Sequence, residues 1–191
     1  GFGADGPHGG HPGYDAIIQA MTGMMAATGS PQSGPTRIGV ALVDIATGLY
    51  AANGILMALA ERARSGLGQF VETTLFETGL AIMHPHTANF FFTGKPPALT
   101  GNEHPNLVPY SVFKARDGDI FMGVGNDGSF RKLCRELGKP ELGSDPRFAR
   151  NRDRVANREA LRAELESLLK DHDSEPLCRR LLAAGLPAGP V

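Results

Sequence analysis

The sequence predicts an α/β protein made of two pieces that part near residue 95. Three observations carry the prediction. Up to residue 92 the apolar residues recur mainly at helical spacing. Residues 93–97 (TGKPP) are the strongest linker signal in the chain. Beyond them the pattern changes to two short alternating runs around Arg116-Asp117-Gly118, a hairpin signal, followed by three helical stretches.

Taken in order, residues 1–13 (GFGADGPHGGHPG) form a Gly/Pro/His loop. Residues 14–28 place Ile17, Ile18, Met21, Met24 and Met25 at helical spacing and stop at Gly29. Residues 30–36 (SPQSGPT) are rich in turn formers. A helix is expected over 50–64, with Ile55, Leu56 and Leu59 on its inner face and Glu61, Arg62 and Arg64 toward solvent. Ser65-Gly66 supplies its stop.

Residues 69–75 are β-branched enough for a strand, and 76–92 read as one long helix in spite of Pro85. The hairpin strands are expected at 110–115 and 120–124. The closing helices fall at 128–137, with Phe130, Leu133 and Leu137 inward, at 158–170 behind an Asn157 cap, and at 175–184 between Ser174 and Gly185. No internal repeat is present.

A chain of 191 residues suits one domain or two small ones. Its 19 basic and 20 acidic side chains leave a net charge of −1, which gives no electrostatic case for a nucleic-acid or anionic-membrane partner. Arginines gather over 147–162, but Asp153, Glu159, Glu164 and Glu166 are interleaved with them, the pattern of a solvated helix face. Cys134 and Cys178 lie in separate predicted helices at no metal or redox spacing, so both are expected to be reduced, buried thiols of an intracellular protein.

The apolar runs are broken by Gly, Asn or charge short of the roughly 20 residues of a membrane span, and no signal peptide is evident. His8 and His11, His84 and His86, and His104 suggest a metal site at first sight. They lack the three or four rigidly spaced ligands that zinc needs, and no metal is expected. Gly123-x-Gly125 is too short a pattern for a phosphate loop.

One carboxylate stands out. Asp44 interrupts Gly39-Val-Ala-Leu-Val-Asp44-Ile-Ala-Thr47-Gly48, between an apolar segment expected to be buried and the start of the 50–64 helix. It suits a helix cap, although Thr47 lies nearer the helix start. The other reading is an ionised nucleophile whose charge the helix dipoles help to hold.

The surroundings of Asp44 resemble the class III CoA-transferase family, which includes α-methylacyl-CoA racemase. The resemblance rests on four blocks in order: residues 11–23 (HPGYDAIIQAMTG), the Asp44 segment, residues 62–72 (RARSGLGQFVE), and the series Gly101-Asn102-Glu103-His104-Pro105-Asn106, Pro109-Tyr110, Phe113-Lys114 and Asp117-Gly118. It runs from about residue 3 to 191.

The resemblance implies that residues 1–92 belong to a Rossmann-like large domain carrying the nucleophile. It makes 93–107 a linker and active-site loop, and 108–191 a small α/β domain. The whole then reads as the middle portion of a longer chain. Val43–Tyr50 and Leu107–Lys114 look closest to members that use succinyl-CoA and dicarboxylic acids.

By the same resemblance, Asp44 is the catalytic nucleophile. Gly13, Tyr14, Asp15, Ile17 and Ile18 bind CoA, with Tyr14 beside the thioester and Asp15 either capping the following helix or bonding within the site. Gly101, Asn102 and His104 belong to a loop that covers the site. Gly101-Asn102 can offer backbone N–H groups to an oxyanion, and an ordinary surface turn before Pro105 is the alternative.

CoA and acyl-CoA are implied as substrates, with a carboxylic acid acceptor and no permanently bound cofactor. The implied assembly is an interlocked homodimer, and the implied location the cytoplasm, or the mitochondrion in a eukaryote. Racemases of the superfamily carry a histidine at the place of Tyr14, thirty residues before their aspartate. Tyrosine, with a reference pKa of about 10, is a poor base at neutral pH and favours transfer. A racemase, or a non-catalytic fragment, is the alternative function.

Overall fold

The computed structural model describes residues 1–191, which divide into two compact units, 1–101 and 102–191. The first is helical: α1 (Asp15–Met21), α2 (Met24–Thr28), α3 (Leu42–Ser65), α4 (Leu75–Ala81) and α5 (His86–Thr93). The second runs β1 (Tyr110–Lys114), β2 (Asp119–Gly123), α6 (Asp127–Glu136), a 3-10 turn (Pro140–Ser144), α7 (Asn151–Ala156), α8 (Arg158–Leu169), α9 (Ser174–Ala183) and β3 (Ala188–Pro190).

In the first unit the structure corrects several expectations. The helix expected over 14–28 is two helices, because Gly23 adopts φ 83°, a left-handed conformation that ends one turn and starts another. The helix expected over 76–92 is also two, α4 and α5, parted around Pro85, whose ring removes a backbone donor. Residues 69–74 form no strand and lead into the Thr74 cap of α4, whose hydroxyl accepts from the Glu77 N–H at 3.0 Å.

The largest correction concerns α3. It begins at Leu42 rather than near residue 50, so Asp44 and Thr47 lie inside it, and Val40 ahead of it is exposed while Val43 is buried. Gly66 at φ 75° closes the far end by donating to the Arg62 carbonyl.

The apolar face expected to point inward does not: Ile55, Leu56 and Leu59 are all at least half exposed. By length and composition alone α3 would also cross a bilayer, with 24 residues and a mean hydropathy of 1.5 over its best window. The sequence expectation missed this because it counted the interrupting Gly and Asn as breaks. The first unit buries only Ile18, Met24, Val43 and Met83 as a continuous apolar core.

The second unit is built differently. β1 and β2 form the antiparallel hairpin expected from the sequence, in register Tyr110↔Gly123 to Lys114↔Asp119, and β3 adds antiparallel to the other edge of β2, making the order β1-β2-β3. Phe113, Ile120 and Met122 point from the sheet into a core closed by Phe130 and Leu133 of α6, Leu161, Leu165 and Leu169 of α8, and Leu181 of α9. Asn126 caps α6, accepting from the Ser129 N–H at 2.8 Å. Asp117 in the hairpin turn accepts from the Ser174 N–H at 2.7 Å, which holds its carboxyl below the usual carboxylate range.

Asn157 precedes α8 but donates its amide to the Asp153 and Arg147 carbonyls instead of capping. The thiols of Cys134 and Cys178 are buried, and desolvation pushes Cys134 up to about 11.

The arginine-rich stretch is the solvated face its charge pattern suggests at Arg147, Arg150 and Arg152, but not at Arg154, Arg158 and Arg162. Arg154 is fully buried and lies over the Phe130 ring, 4.5 Å from its centroid. It donates to the Val108 and Phe148 carbonyls at 2.6 and 2.9 Å and to Asp127 at 2.9 Å. Burial pulls its pKa down, and the Asp127 carboxylate opposes that pull. Replacing it by an apolar residue strands two carbonyls in the interior and leaves the partly exposed Asp127 carboxylate without its cation. Arg154→Leu is therefore expected to destabilise the protein by about 3–5 kcal/mol. Urea denaturation followed through Tyr110, the one tyrosine of the second unit, measures this; a loss under about 1 kcal/mol would contradict the assignment.

Candidate active site

The centre of the candidate site is the start of α3. A helix leaves its first N–H groups without internal partners, and Ala41 at the N-cap has no side chain to meet them. The acceptor comes from α1. One carboxylate oxygen of Asp15, 28 residues upstream, accepts from the Val43 N–H at 2.7 Å and from the Asp44 N–H at 3.2 Å. Its other oxygen accepts from the Gln19 amide at 2.5 Å. The Gln19 carbonyl oxygen accepts in turn from the Ile38 N–H at 2.9 Å. Asp15 and Gln19 are both buried, with Gln19 fully enclosed, and the segment entering α3 is gripped at both ends.

This removes one of the two readings the sequence left open. Asp44 is not the cap of α3, because the N–H groups it would bind are taken by Asp15. Asp15 does not cap α1, its own helix, but bonds within the site. Asp44 itself is exposed in the first turn of α3, a carboxylate presented on a fixed backbone. Thr47 turns its hydroxyl to the Val43 carbonyl at 2.7 Å and caps nothing.

The residues expected to bind CoA divide in two. Tyr14 is 81 % exposed and Ile17 half exposed, next to Asp15 at the start of α1. Ile18 is wholly buried in the core of the first unit, so it supports α1 from below instead of lining a binding surface. Gly13 is a packing glycine. A Cβ there would lie 3.1 Å from Ile18 Cδ1 and 3.2 Å from the Phe2 ring, so a side chain would crowd the packing of the 1–13 loop on α1. His8 of that loop packs against the rings of Phe2 and Phe76. No three His, Cys, Asp or Glu side chains converge closely enough to hold a metal ion.

The covering loop is also corrected in detail. The Gly101 N–H, expected to serve an oxyanion, donates to the Gly29 carbonyl at 2.9 Å, and Gly101 sits at φ 60° against Ser30. Asn102 is exposed in the same turn. His104 is a structural group of the second unit: its N–H donates to the Tyr110 carbonyl, its Nδ1 accepts from the Asn106 N–H, and its ring lies 5.1 Å from that of Tyr110.

Between Asn102 and His104, Glu103 was not singled out from the sequence, yet it anchors the loop. Its two oxygens meet Arg158 at 2.8 Å and Arg162 at 2.7 Å. Arg162 continues to the Val112 carbonyl and to Ser111, over the ring of Phe113. The only signal for this in the sequence was an acid 55 and 59 residues from two arginines, which no local pattern encodes.

The first unit presents a carboxylate at the head of a long helix, and the second is a small α/β unit. The sequence matches, over residues 1–191, the family described as CoA-transferase family III. The chain belongs to that family.

It is 42 % identical, over its whole length, to 49 % of the acetyl-CoA:oxalate CoA-transferase of Acetobacter aceti. It is 38 % identical, again over its whole length, to 48 % of the succinate–glutarate CoA-transferase of Agrobacterium fabrum. Among solved structures it is similar to a CAIB/BAIF family protein from Brucella suis, at 44 % identity and a TM-score of 0.76, covering all of this chain and 50 % of that one. The chain spans about half the length of the curated relatives it matches.

Removing the loop anchor tests how residues 102–106 are held on the second unit. Glu103→Gln keeps the shape but leaves Arg158 and Arg162 without their shared anion. A loss of about 1–3 kcal/mol in urea denaturation is expected, with the Tyr110 signal reporting it. An unchanged midpoint would show that the loop is held by its backbone contacts alone.

Proposed function

We propose that the protein to which these residues belong transfers CoA from an acyl-CoA donor to a carboxylic acid, with Asp44 as the covalent nucleophile. The observation that carries this is an exposed carboxylate on a backbone locked by Asp15, in a chain of CoA-transferase family III. A thioester must be broken and remade without losing the acyl group to water, and a carboxylate does this by covalent catalysis.

An Asp44 oxygen attacks the thioester carbonyl; the C–S bond breaks and CoA thiolate leaves, giving an acyl–aspartyl anhydride. The thiolate attacks the Asp44 carbonyl, releasing the donor acid as its carboxylate and leaving an aspartyl-CoA thioester. The acceptor carboxylate attacks that thioester and expels thiolate. The thiolate then takes the acceptor acyl group, and Asp44 returns as a carboxylate. Every step conserves charge and needs no redox partner.

The relatives' names point to short dicarboxylic acids as acceptors: oxalate in one, succinate and glutarate in the other. The exposed apolar face of α3 is assigned to protein, in a homodimer, and not to lipid. Gly54 already lies so close to Val71 that a Cβ would come within 2.7 Å of its side chain, and Asp44 and Asn53 interrupt the face. A cytoplasmic location, or a mitochondrial one in a eukaryote, fits the same assignment.

Asp44→Asn keeps the side-chain shape and removes the attacking charge. In protein expressed from its complete reading frame, kcat is expected to fall about 10³-fold or more, with acyl-CoA binding retained. Mass spectrometry of the wild type under turnover should find CoA or an acyl group on the peptide containing Asp44. Near-normal turnover by the variant would remove Asp44 from the mechanism.

The racemase alternative makes an opposite prediction. Tyr14, exposed at the head of α1, stands where that reaction needs a histidine base. Incubation with a 2-methylacyl-CoA in D₂O is expected to leave the α-position unlabelled on the turnover timescale. Rapid exchange without an acid acceptor would move the assignment to racemisation.

A further inference from the structure

Three charged hydrogen bonds converge on Asp15, a residue that touches no reacting atom in the scheme above. Its carboxylate is 7 % exposed, and burying a charge this way is costly unless donors surround it. Here the donors are the Val43 N–H, the Asp44 N–H and the Gln19 amide. Two of the three belong to the turn that carries the nucleophile. Resting on the assignment of Asp44 above, we infer that Asp15 is a positioning residue for the transfer reaction: it caps α3 from a distance and so fixes where the Asp44 carboxylate stands.

The physical case has three parts. First, α3 has no cap of its own. Ala41 offers no acceptor, and Thr47 spends its hydroxyl on a carbonyl further into the helix. Helix ends fray where their N–H groups are unpaired, and Asp44 is the third residue of α3, within the turn that would fray. Second, Asp15 is itself immobile. It follows Tyr14 at the head of α1, its neighbour Ile18 lies in the core, and Gln19 ties its second oxygen to the Ile38 backbone. The brace therefore runs from the core through α1 to the nucleophile turn.

Third, Asp15 binds the N–H of Asp44 and of Val43, so the Asp44 side chain cannot fold back to cap its own helix, as an aspartate in this position otherwise tends to. It is left projecting and exposed. Covalent attack requires the carboxylate oxygen about 3–3.5 Å from the thioester carbon, and a misplacement of about 1 Å can cost 10²-fold in rate.

Kinetics of protein expressed from its complete reading frame test this. Asp15→Ala removes the acceptor; kcat is expected to fall about 10- to 100-fold with KM for acyl-CoA unchanged within about twofold. Asp15→Asn restores an oxygen able to accept from both N–H groups, so kcat should return to within about fivefold of wild type.

Active-site titration of the Asp44 adduct separates position from folding. The titratable fraction should stay near wild type while the rate of adduct formation drops. A kcat loss matched by loss of titratable sites, or Asp15→Asn no better than Asp15→Ala, overturns the inference. If Asp15→Ala does not fold, Gln19→Met loosens the same brace from behind, with an expected several-fold fall in kcat at constant KM; unaltered kcat there is equally fatal. Normal turnover by Asp44→Asn would sink the nucleophile assignment itself. An inert Asp44→Asn beside an unaffected Asp15→Ala would sink only the role given to Asp15.

Discussion

The first unit depends on a buried carboxylate holding a helix that begins 27 residues later. Its continuous apolar core consists of four side chains, too few to fix the direction of a 24-residue helix by packing alone. Packing at Val43 sets which face of α3 turns inward, and the Asp15 hydrogen bonds set where the helix begins. Charge-assisted bonds of this kind are worth about 1.5–3 kcal/mol each. They are directional as well, which dispersion is not. The same bonds that start the helix decide that Asp44, and not Asp15, is the acid left facing outward.

The second unit solves its positioning problem with cations. Arg154 crosses its interior to hold two carbonyls and Asp127, while Arg158 and Arg162 converge on Glu103. Around them lies an extensive apolar core fed by the hairpin, α6, α8 and α9. The guanidinium fork suits this work because each arginine meets two or three acceptors at once in a fixed plane. Loop 102–106 is thus fixed on the second unit by side chains from α8, with the His104 backbone adding a bond to β1.

What the sequence made legible follows from how locally each feature is encoded. The hairpin around Arg116-Asp117-Gly118 and the stripes of α6, α8 and α9 are set by spacing within ten residues, and they lie close to where that spacing puts them. The start of α3 is not local. Residues 39–48 hold Gly, Thr and β-branched residues that argue against a helix, and what reverses this is an acceptor on α1. Arg154, Arg158 and Arg162 misled for the same reason, since charge alternation describes an exposed face unless distant acceptors enclose it. Asp44 was legible as an oddity, and its separation from the cap became visible only with Asp15 in place.

The exposure of α3 suits the role proposed for Asp44. A carboxylate that must attack a thioester cannot be enclosed in the core of its own unit, because substrate has to reach it. It cannot be on a loose turn either, because attack needs a fixed geometry. The head of a long helix, capped by a different residue, meets both demands. The remaining length of α3 then projects an apolar face, with Ile55, Leu56, Met57 and Leu59 open to the surroundings. The helix whose head leaves Asp44 exposed is thus the one that also leaves the most apolar side chains of the first unit uncovered.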